Sequence, residues 1–291
     1  MASNSLPDDF NEQLYLAMYP DVRRAGVDAK QHFLAHGMRE GRYYKLPDQP
    51  RNGREFLARL NQYASILEIG PFDRPLSREF ASPTADLEFA DWLSTDELKA
   101  RARTIPGRNP DGVPHISYIT RGKLSDVIIR QFDCVMSSHM IEHSPDLITH
   151  LRDVRSVLRP GGTFLFLCPD KRRGPEQFLP ESRLPEVVTA FVEQRTRPTL
   201  RSVIEHRAFI RHDFATADDP LRKPNEQTWA IIQSAKQEFE SREYCDVHVW
   251  QFTPKSLLEL IEGITSLGLL ERPSRCEIRD VGGQIGGLIQ W

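Results

Sequence analysis

No apolar run in this sequence approaches the ~18 residues that a membrane-spanning helix needs. The opening MASNSLPDDF has neither the basic nor the apolar stretch of a signal peptide, so no export is expected. Cysteine is scarce: Cys134, Cys168, Cys245 and Cys276 are scattered, and none forms a Cys-x-x-Cys pair. That favours buried free thiols over a disulfide or a zinc site, and it points to a reducing cytoplasm. A surplus of one charge is also missing, with 38 Lys+Arg against 41 Asp+Glu and a net charge of -3. A dedicated nucleic-acid binder would carry a basic excess, so that class is set aside. What remains is 291 residues, 39% apolar and 27% charged, enough for one large domain or one domain with a small appendage.

The first 46 residues read as a separate helical unit. Phe10, Leu14, Leu16, Met18 and Tyr19 crowd a short segment that Pro20-Asp21 interrupts; a second run starts at an Asp28 cap and stops at Gly37. LPDQPRNG (46–53) reads as a linker. From residue 55 a helical stretch leads into the apolar run Ile66–Ile69. Strand-length runs follow at 87–90, 115–119, 132–136 and 163–168, apolar enough to be buried on both faces. Between the last two lies a helix with Ser144 as its cap, Pro145 in its first position and Pro160-Gly161-Gly162 as its stop. Strands alternating with helices predict a parallel α/β sheet. Residues 171–252 break the alternation with several amphipathic stretches, and 171–224 holds eleven Lys/Arg against eight Asp/Glu. A helix from Thr253-Pro254 and two strands, CEIRDV and IGGLIQW, close the chain.

The candidate ligand loop is Glu68-Ile69-Gly70-Pro71, because ligands of open α/β sheets bind beyond the carboxyl ends of the strands. Asp91 follows Glu68 by 23 residues, the distance at which an acidic group meets ribose hydroxyls. A dinucleotide site would need Gly-x-Gly-x-x-Gly; here Gly70 is followed by Pro71, Phe72, Asp73, Arg74 and Pro75. A nucleoside without phosphates, such as S-adenosyl-L-methionine, needs only one close approach of the backbone.

ILEIG, Asp91, FDCVMSSHMIEH and DVRSVLRPGGTFLFLCPD occur in the order seen in class I S-adenosylmethionine-dependent methyltransferases, which the chain resembles over about residues 55–170. CEIRDV and GLIQW resemble that fold's antiparallel closing pair, whereas GPFDRP departs from its glycine-rich loop. The resemblance implies a Rossmann-like fold with a seven-stranded, mostly parallel sheet and helices on both faces. It divides the chain into a helical module at 1–46 and a methyltransferase domain at 47–291, with 171–252 as an acceptor-binding insertion. Carried over, it makes S-adenosyl-L-methionine the cofactor. Gly70 and Pro71 pass its methionine part, and Glu68 organises the loop and holds the amino group. Asp91 binds the ribose, Trp92 covers one adenine face, and Ser137, Ser138 and His139 line the region near the methyl. The acidic residue often found beside adenine has no clear equivalent, Asp126 coming late.

The N-terminal segment is similar to a small module that accompanies bacterial glycosyltransferases and polysaccharide-assembly proteins. GRNPDGVPHI, CPDKR and DVHVWQFTP resemble methyltransferases found in the same surroundings. This implies a sugar or glycan acceptor and a glycan-assembly partner for the module. A sugar hydroxyl is a weak nucleophile and benefits from a general base, for which histidine is the first candidate. His248 has Asp246 two residues before it; on a strand both would share a face with Trp250, which could then stack on a sugar. His143 after Glu142 reads as structural or cofactor shell ahead of catalytic, His139 as cofactor shell or base, and His206 as a weaker candidate. His212 and Asp213 could join Asp246 and His248 around a metal, but no motif fixes one and none is expected. Two rivals stand: the same enzyme acting on a small metabolite, and a binding or scaffold protein that kept the fold without catalysis.

Overall fold

A computed structural model describes residues 5–211 and 219–291. The seven strands are β1 (Ser65–Ile69), β2 (Asp86–Asp91), β3 (Tyr118–Ile119), β4 (Phe132–Ser138), β5 (Leu158–Pro169), β6 (Arg275–Asp280) and β7 (Gln284–Gln290). They form one sheet in the order β3-β2-β1-β4-β5-β7-β6. All neighbours are parallel except β7, which runs antiparallel to both β5 and β6. The mostly parallel Rossmann-like sheet expected from the sequence is the observed one.

Four short helices come first, α1 (Glu12–Met18), α2 (Pro20–Ala25), α3 (Ala29–His32) and α4 (Gly53–Leu57). Then follow α5 (Ser77–Phe80), α6 (Thr95–Thr104), α7 (Leu147–Ser156), α8 (Leu184–Val192), α9 (Leu200–Ala208), α10 (Glu226–Glu240) and α11 (Pro254–Ser266). None of the described helices is long and apolar enough to cross a membrane.

Alternation along the central strands divides the core. Leu67, Ile69, Val135, Phe164 and Phe166 face one side, where Leu151 and Val154 of α7 and Leu260 and Ile264 of α11 cover them. Ile66, Cys134, Met136, Leu165 and Leu167 face the other, against Phe56, Leu57 and Leu60. Helices therefore cover both faces, which is what near-continuous apolar strands require. The N-terminal helices bury Tyr15, Val22, Ala29 and Phe33 in a cluster of their own. They are held to the sheet layer by Arg54, whose Nε donates to the Ala17 carbonyl at 2.9 Å, and by Gln13 donating to Ala81 O at 2.9 Å.

Close pairing of β5 with β7 depends on Gly287. A Cβ there would lie 2.0 Å from Phe166 Cζ on the facing strand.

Three local expectations are corrected. The cap of α7 is Asp146, whose Oδ1 accepts from Thr149 N at 3.0 Å, so Ser144 and Pro145 stand before the helix. Pro160-Gly161-Gly162 belongs to the start of β5 rather than to a helix end. Of the run 115–119, only Tyr118 and Ile119 are strand, paired with Ala90 and Asp91, and Ser117 N adds a bond of 2.9 Å to Phe89 O of β2.

Candidate functional site

The carboxyl ends of β1, β2 and β4 open onto a cleft of about 780 Å³. Gly70 begins its wall at φ +70°, a left-handed conformation that suits glycine. The loop after it is braced from below by Glu68, a buried carboxylate. Its Oε1 accepts from Leu76 N at 2.9 Å, and its Oε2 accepts from Ser77 N at 2.9 Å and Ser77 Oγ at 2.6 Å. Burial pushes the Glu68 carboxyl above its ordinary value, against the pull of those three donors. Glu68 thus ties the loop to the end of β1 while itself lining the cleft.

Asp73 supplies a second brace that sequence reading passed over. Its carboxylate lies fully buried and accepts from Arg108 Nη1 and Asn109 N, each at 2.9 Å. At the tip of β2, Asp91 Oδ1 accepts from Leu93 N at 3.0 Å, and burial raises its pKa. Trp92 beside it is half exposed on the cleft wall. Pro71, Ser138 and His139 also line the cleft. Ser137 does not: strand alternation turns it inward, fully buried between β1 and β5. His139 takes a positive φ of 53° at the end of β4, its Nε2 pairing with Gln284 Oε1 at 3.1 Å. Burial lowers its pKa. Asp126 stands off the cleft wall, where Leu124 and Asp153 stand instead.

One end of the cleft is closed by a cluster of imidazoles and carboxylates. The short turn Ile141–His143 meets the extended segment 244–252, because the Glu142 carbonyl accepts from Val249 N at 2.7 Å and Trp250 N at 3.2 Å. Trp250 Nε1 adds a bond of 2.6 Å to Ser144 O. Residues 246–250 therefore form no strand; they are held by this turn rather than by a sheet neighbour. The apolar alternation of Val247 and Val249 reports burial against the domain, not a ladder. Trp250 is buried as well, which corrects its expected role as a sugar platform.

The pairings differ from those expected. Asp246 does not orient His248; its Oδ1 lies 3.1 Å from His143 Nδ1, and its Oδ2 is 2.5 Å from Arg101 Nη2. His143 and Arg101 hold the Asp246 carboxyl well below the usual range. His248 Nδ1 instead contacts Glu176, a buried carboxylate from the loop after β5. Burial alone would raise Glu176, but its bond to His248 holds it below its ordinary value. His206 Nδ1 accepts the His248 amide at 3.2 Å, and burial pushes His206 down to about 4. Glu142 is buried, and burial pushes it up to about 7 against the pull of His143. The His143 and His248 rings stand edge to face, 4.6 Å between centroids. His143 and Asp246 reach the cleft wall, with Tyr244 and Arg101 beside them, and His248 lies behind. His212 and Asp213 fall outside the described residues.

Glu142 lay inside a motif already read, SSHMIEH. Glu176 carried no signal, since only the fold brings 176 to 248.

A family model described as a methyltransferase domain matches residues 38–262. No curated protein matches the sequence. Among solved structures, the chain is similar to the CcbJ methyltransferase from Streptomyces caelestis at 23% identity, over 41% of this chain and 48% of that one, TM-score 0.29. It is similar to a putative O-methyltransferase from Nostoc punctiforme PCC 73102 at 15% identity, over 81% and 54%, TM-score 0.40. A DhpI–SAH complex matches at 14% identity over 96% and 94%, TM-score 0.40. The chain spans about half the length of the first two.

Proposed function

Because this chain belongs to the methyltransferase-domain family, we propose that it moves the methyl of S-adenosyl-L-methionine to a sugar hydroxyl on a glycan or sugar conjugate. It is a methyltransferase with a Rossmann-like fold, and S-adenosyl-L-methionine is its cofactor. The observation that carries the acceptor reading is the placement of His143 and Asp246 on the wall of the cleft that Gly70 and Asp91 open. Gly70 and Pro71 meet the methionine part, Asp91 the ribose, Trp92 the adenine face, and Ser138 and His139 the region of the sulfur.

Methyl transfer is an in-line displacement: the S–CH₃ bond breaks as the O–CH₃ bond forms, and the sulfonium leaves as a neutral thioether. The protein's part is to align the hydroxyl, exclude water and take away its proton. That proton leaves into the imidazole–carboxylate cluster. Asp246 stands 3.1 Å from Nδ1 of His143 and Glu176 stands at Nδ1 of His248, so each imidazole has a carboxylate at one nitrogen and the other to offer. A positioned base contributes about 10²–10⁴-fold.

Residues 171–252 serve as the acceptor-binding insertion. In support, a second hollow of about 320 Å³ lies between α8, α9 and residues 249–251, with the polar side chains of Ser182, Glu186, Arg201, Glu205 and Gln251 on its wall. The N-terminal helices, residues 1–46, are the docking unit for a glycosyltransferase or another glycan-assembly protein.

The test uses the purified chain with isotopically labelled S-adenosyl-L-methionine, offered in parallel to glycan arrays and to pools of small metabolites. Label on glycan hydroxyls is expected, and His143→Ala or His248→Ala should lose it while keeping cofactor affinity. Label on metabolites alone would overturn the sugar acceptor. A folded chain that neither binds the cofactor nor transfers label would be a scaffold.

A further inference from the structure

We infer that Glu142, His143 and His248 form a binding site for one divalent transition-metal cation. The inference rests on the reading that this cluster activates the acceptor hydroxyl, and it puts a cation in place of a free imidazole as the activating group.

The three residues bring one ligand-type atom each to within 4.8 Å of the others. The imidazoles are set for ligation by the carboxylates behind them. Asp246 Oδ1 lies 3.1 Å from Nδ1 of His143 and Glu176 Oε1 contacts Nδ1 of His248; neither contact is aligned as a hydrogen bond, but the carboxylate charge favours a proton on each of those nitrogens. The lone pair of each ring is then on Nε2, the arrangement in which an outer carboxylate orients a metal-binding histidine. His143 Nε2 is 3.9 Å from Glu142 Oε1, too long for a hydrogen bond and suited to two ligands flanking one ion. Like Glu176 beside it, Glu142 is a buried carboxylate in need of a partner. Neither of its oxygens is solvent-accessible, and neither finds a hydrogen bond among the described residues. An unpaired buried carboxylate is costly; a cation between it and the two rings removes that cost.

A neighbouring triple, Glu176, His206 and His248, is equally compact but chemically unsuited. His206 Nδ1 already accepts the His248 amide, which places its proton on Nε2 and leaves that ring no lone pair for a cation.

Two imidazoles and one carboxylate favour Mn²⁺, Fe²⁺, Co²⁺ or Zn²⁺ over Mg²⁺ or Ca²⁺, which prefer all-oxygen shells. Since His143 lines the cleft, an ion held by it would stand beside the space proposed for the acceptor. With the ion in place the histidines act as ligands. The hydroxyl, made more acidic by the ion, gives its proton to water in the cleft.

The experiment is a titration of the full, chelator-treated chain with Mn²⁺ alone, free ion being read by electron paramagnetic resonance. One Mn²⁺ per chain is expected. Glu142→Gln and His248→Gln should each weaken binding by at least ~10-fold, and Glu176→Gln by about 10–100-fold through loss of ring orientation. His36→Gln, on the N-terminal helices, should bind as the wild type does. Each variant is checked for an unchanged circular dichroism spectrum and melting transition. The inference is overturned if the folded, cofactor-binding chain takes up no Mn²⁺, or if Glu142→Gln and His248→Gln bind it as tightly as the wild type. Saturable Mn²⁺ uptake by a chain that does not bind S-adenosyl-L-methionine would support the cation site and sink the functional reading instead.

Discussion

Replacing Glu68 by glutamine removes almost no volume, yet it should loosen the cleft from beneath. The carboxylate receives three donors on two oxygens, from Leu76 N, Ser77 N and Ser77 Oγ. A glutamine has one oxygen and one NH₂, so at least one backbone N–H must face another donor. The lost hydrogen bond is worth ~1 kcal/mol, and an unpaired buried N–H adds about 1–3 kcal/mol. Glu68→Gln should therefore destabilise the fold by about 2–4 kcal/mol, a fall in Tm of roughly 4–8 °C for a domain of this size. Because the braced loop starts at Gly70, on the cleft wall, cofactor affinity should fall with stability. Urea unfolding followed by circular dichroism gives the first quantity, and calorimetric titration with S-adenosyl-L-methionine well below the transition gives the second. A variant within 0.5 kcal/mol of the wild type by the ~1 kcal/mol scale of a single bond, with unchanged affinity, would refute the bracing role.

Two further predictions concern stability. Gly287→Ala drives a methyl into the Phe166 ring, Cζ being 2.0 Å from the new Cβ, and should cost about 1–3 kcal/mol in urea unfolding; an unaltered midpoint would contradict the close β5–β7 packing. His150 governs part of the acid response. Burial pushes it down to about 4 from an ordinary 6.5, so between those values the unfolded chain binds a proton that the folded chain refuses. Its contribution is complete above pH 6.5 and is lost as pH falls toward 4, by up to about 3 kcal/mol at 1.36 kcal/mol per unit. His150→Gln should flatten this part of the stability–pH curve, and equal slopes in both proteins would rule out His150 as the cause.

Much of the sheet was legible because its strands are buried on both faces and so read as apolar runs. Gly70 and Asp91 were legible because they stand at strand ends, where sequence distance maps directly onto sheet geometry. The cluster was less so. His248 and Asp246 were visible as residue types, but their alternation imitated a strand where the backbone is held by the Glu142 carbonyl. That error produced the wrong pairing: on a strand the two would share a face, whereas here Asp246 turns to His143 and Arg101, and His248 to Glu176. Glu176 was invisible because its role depends on a contact spanning 72 positions (248 − 176), which no local pattern encodes. Glu68 was visible as the acidic residue at the end of the first strand. Its bonds to Leu76 and Ser77 depend on how the chain turns after Pro75, a detail that composition leaves open.

The central claim is that the cleft at the ends of β1, β2 and β4 holds the methyl donor. Calorimetric titration of the full chain with S-adenosyl-L-methionine, wild type beside Gly70→Val, tests it most directly. One molecule bound per wild-type chain is expected, with a marked loss of affinity in the variant, whose branched side chain meets a φ of +70° on the cleft wall. A folded wild-type chain that gives no binding heat and no shift in its melting transition with the cofactor would contradict it.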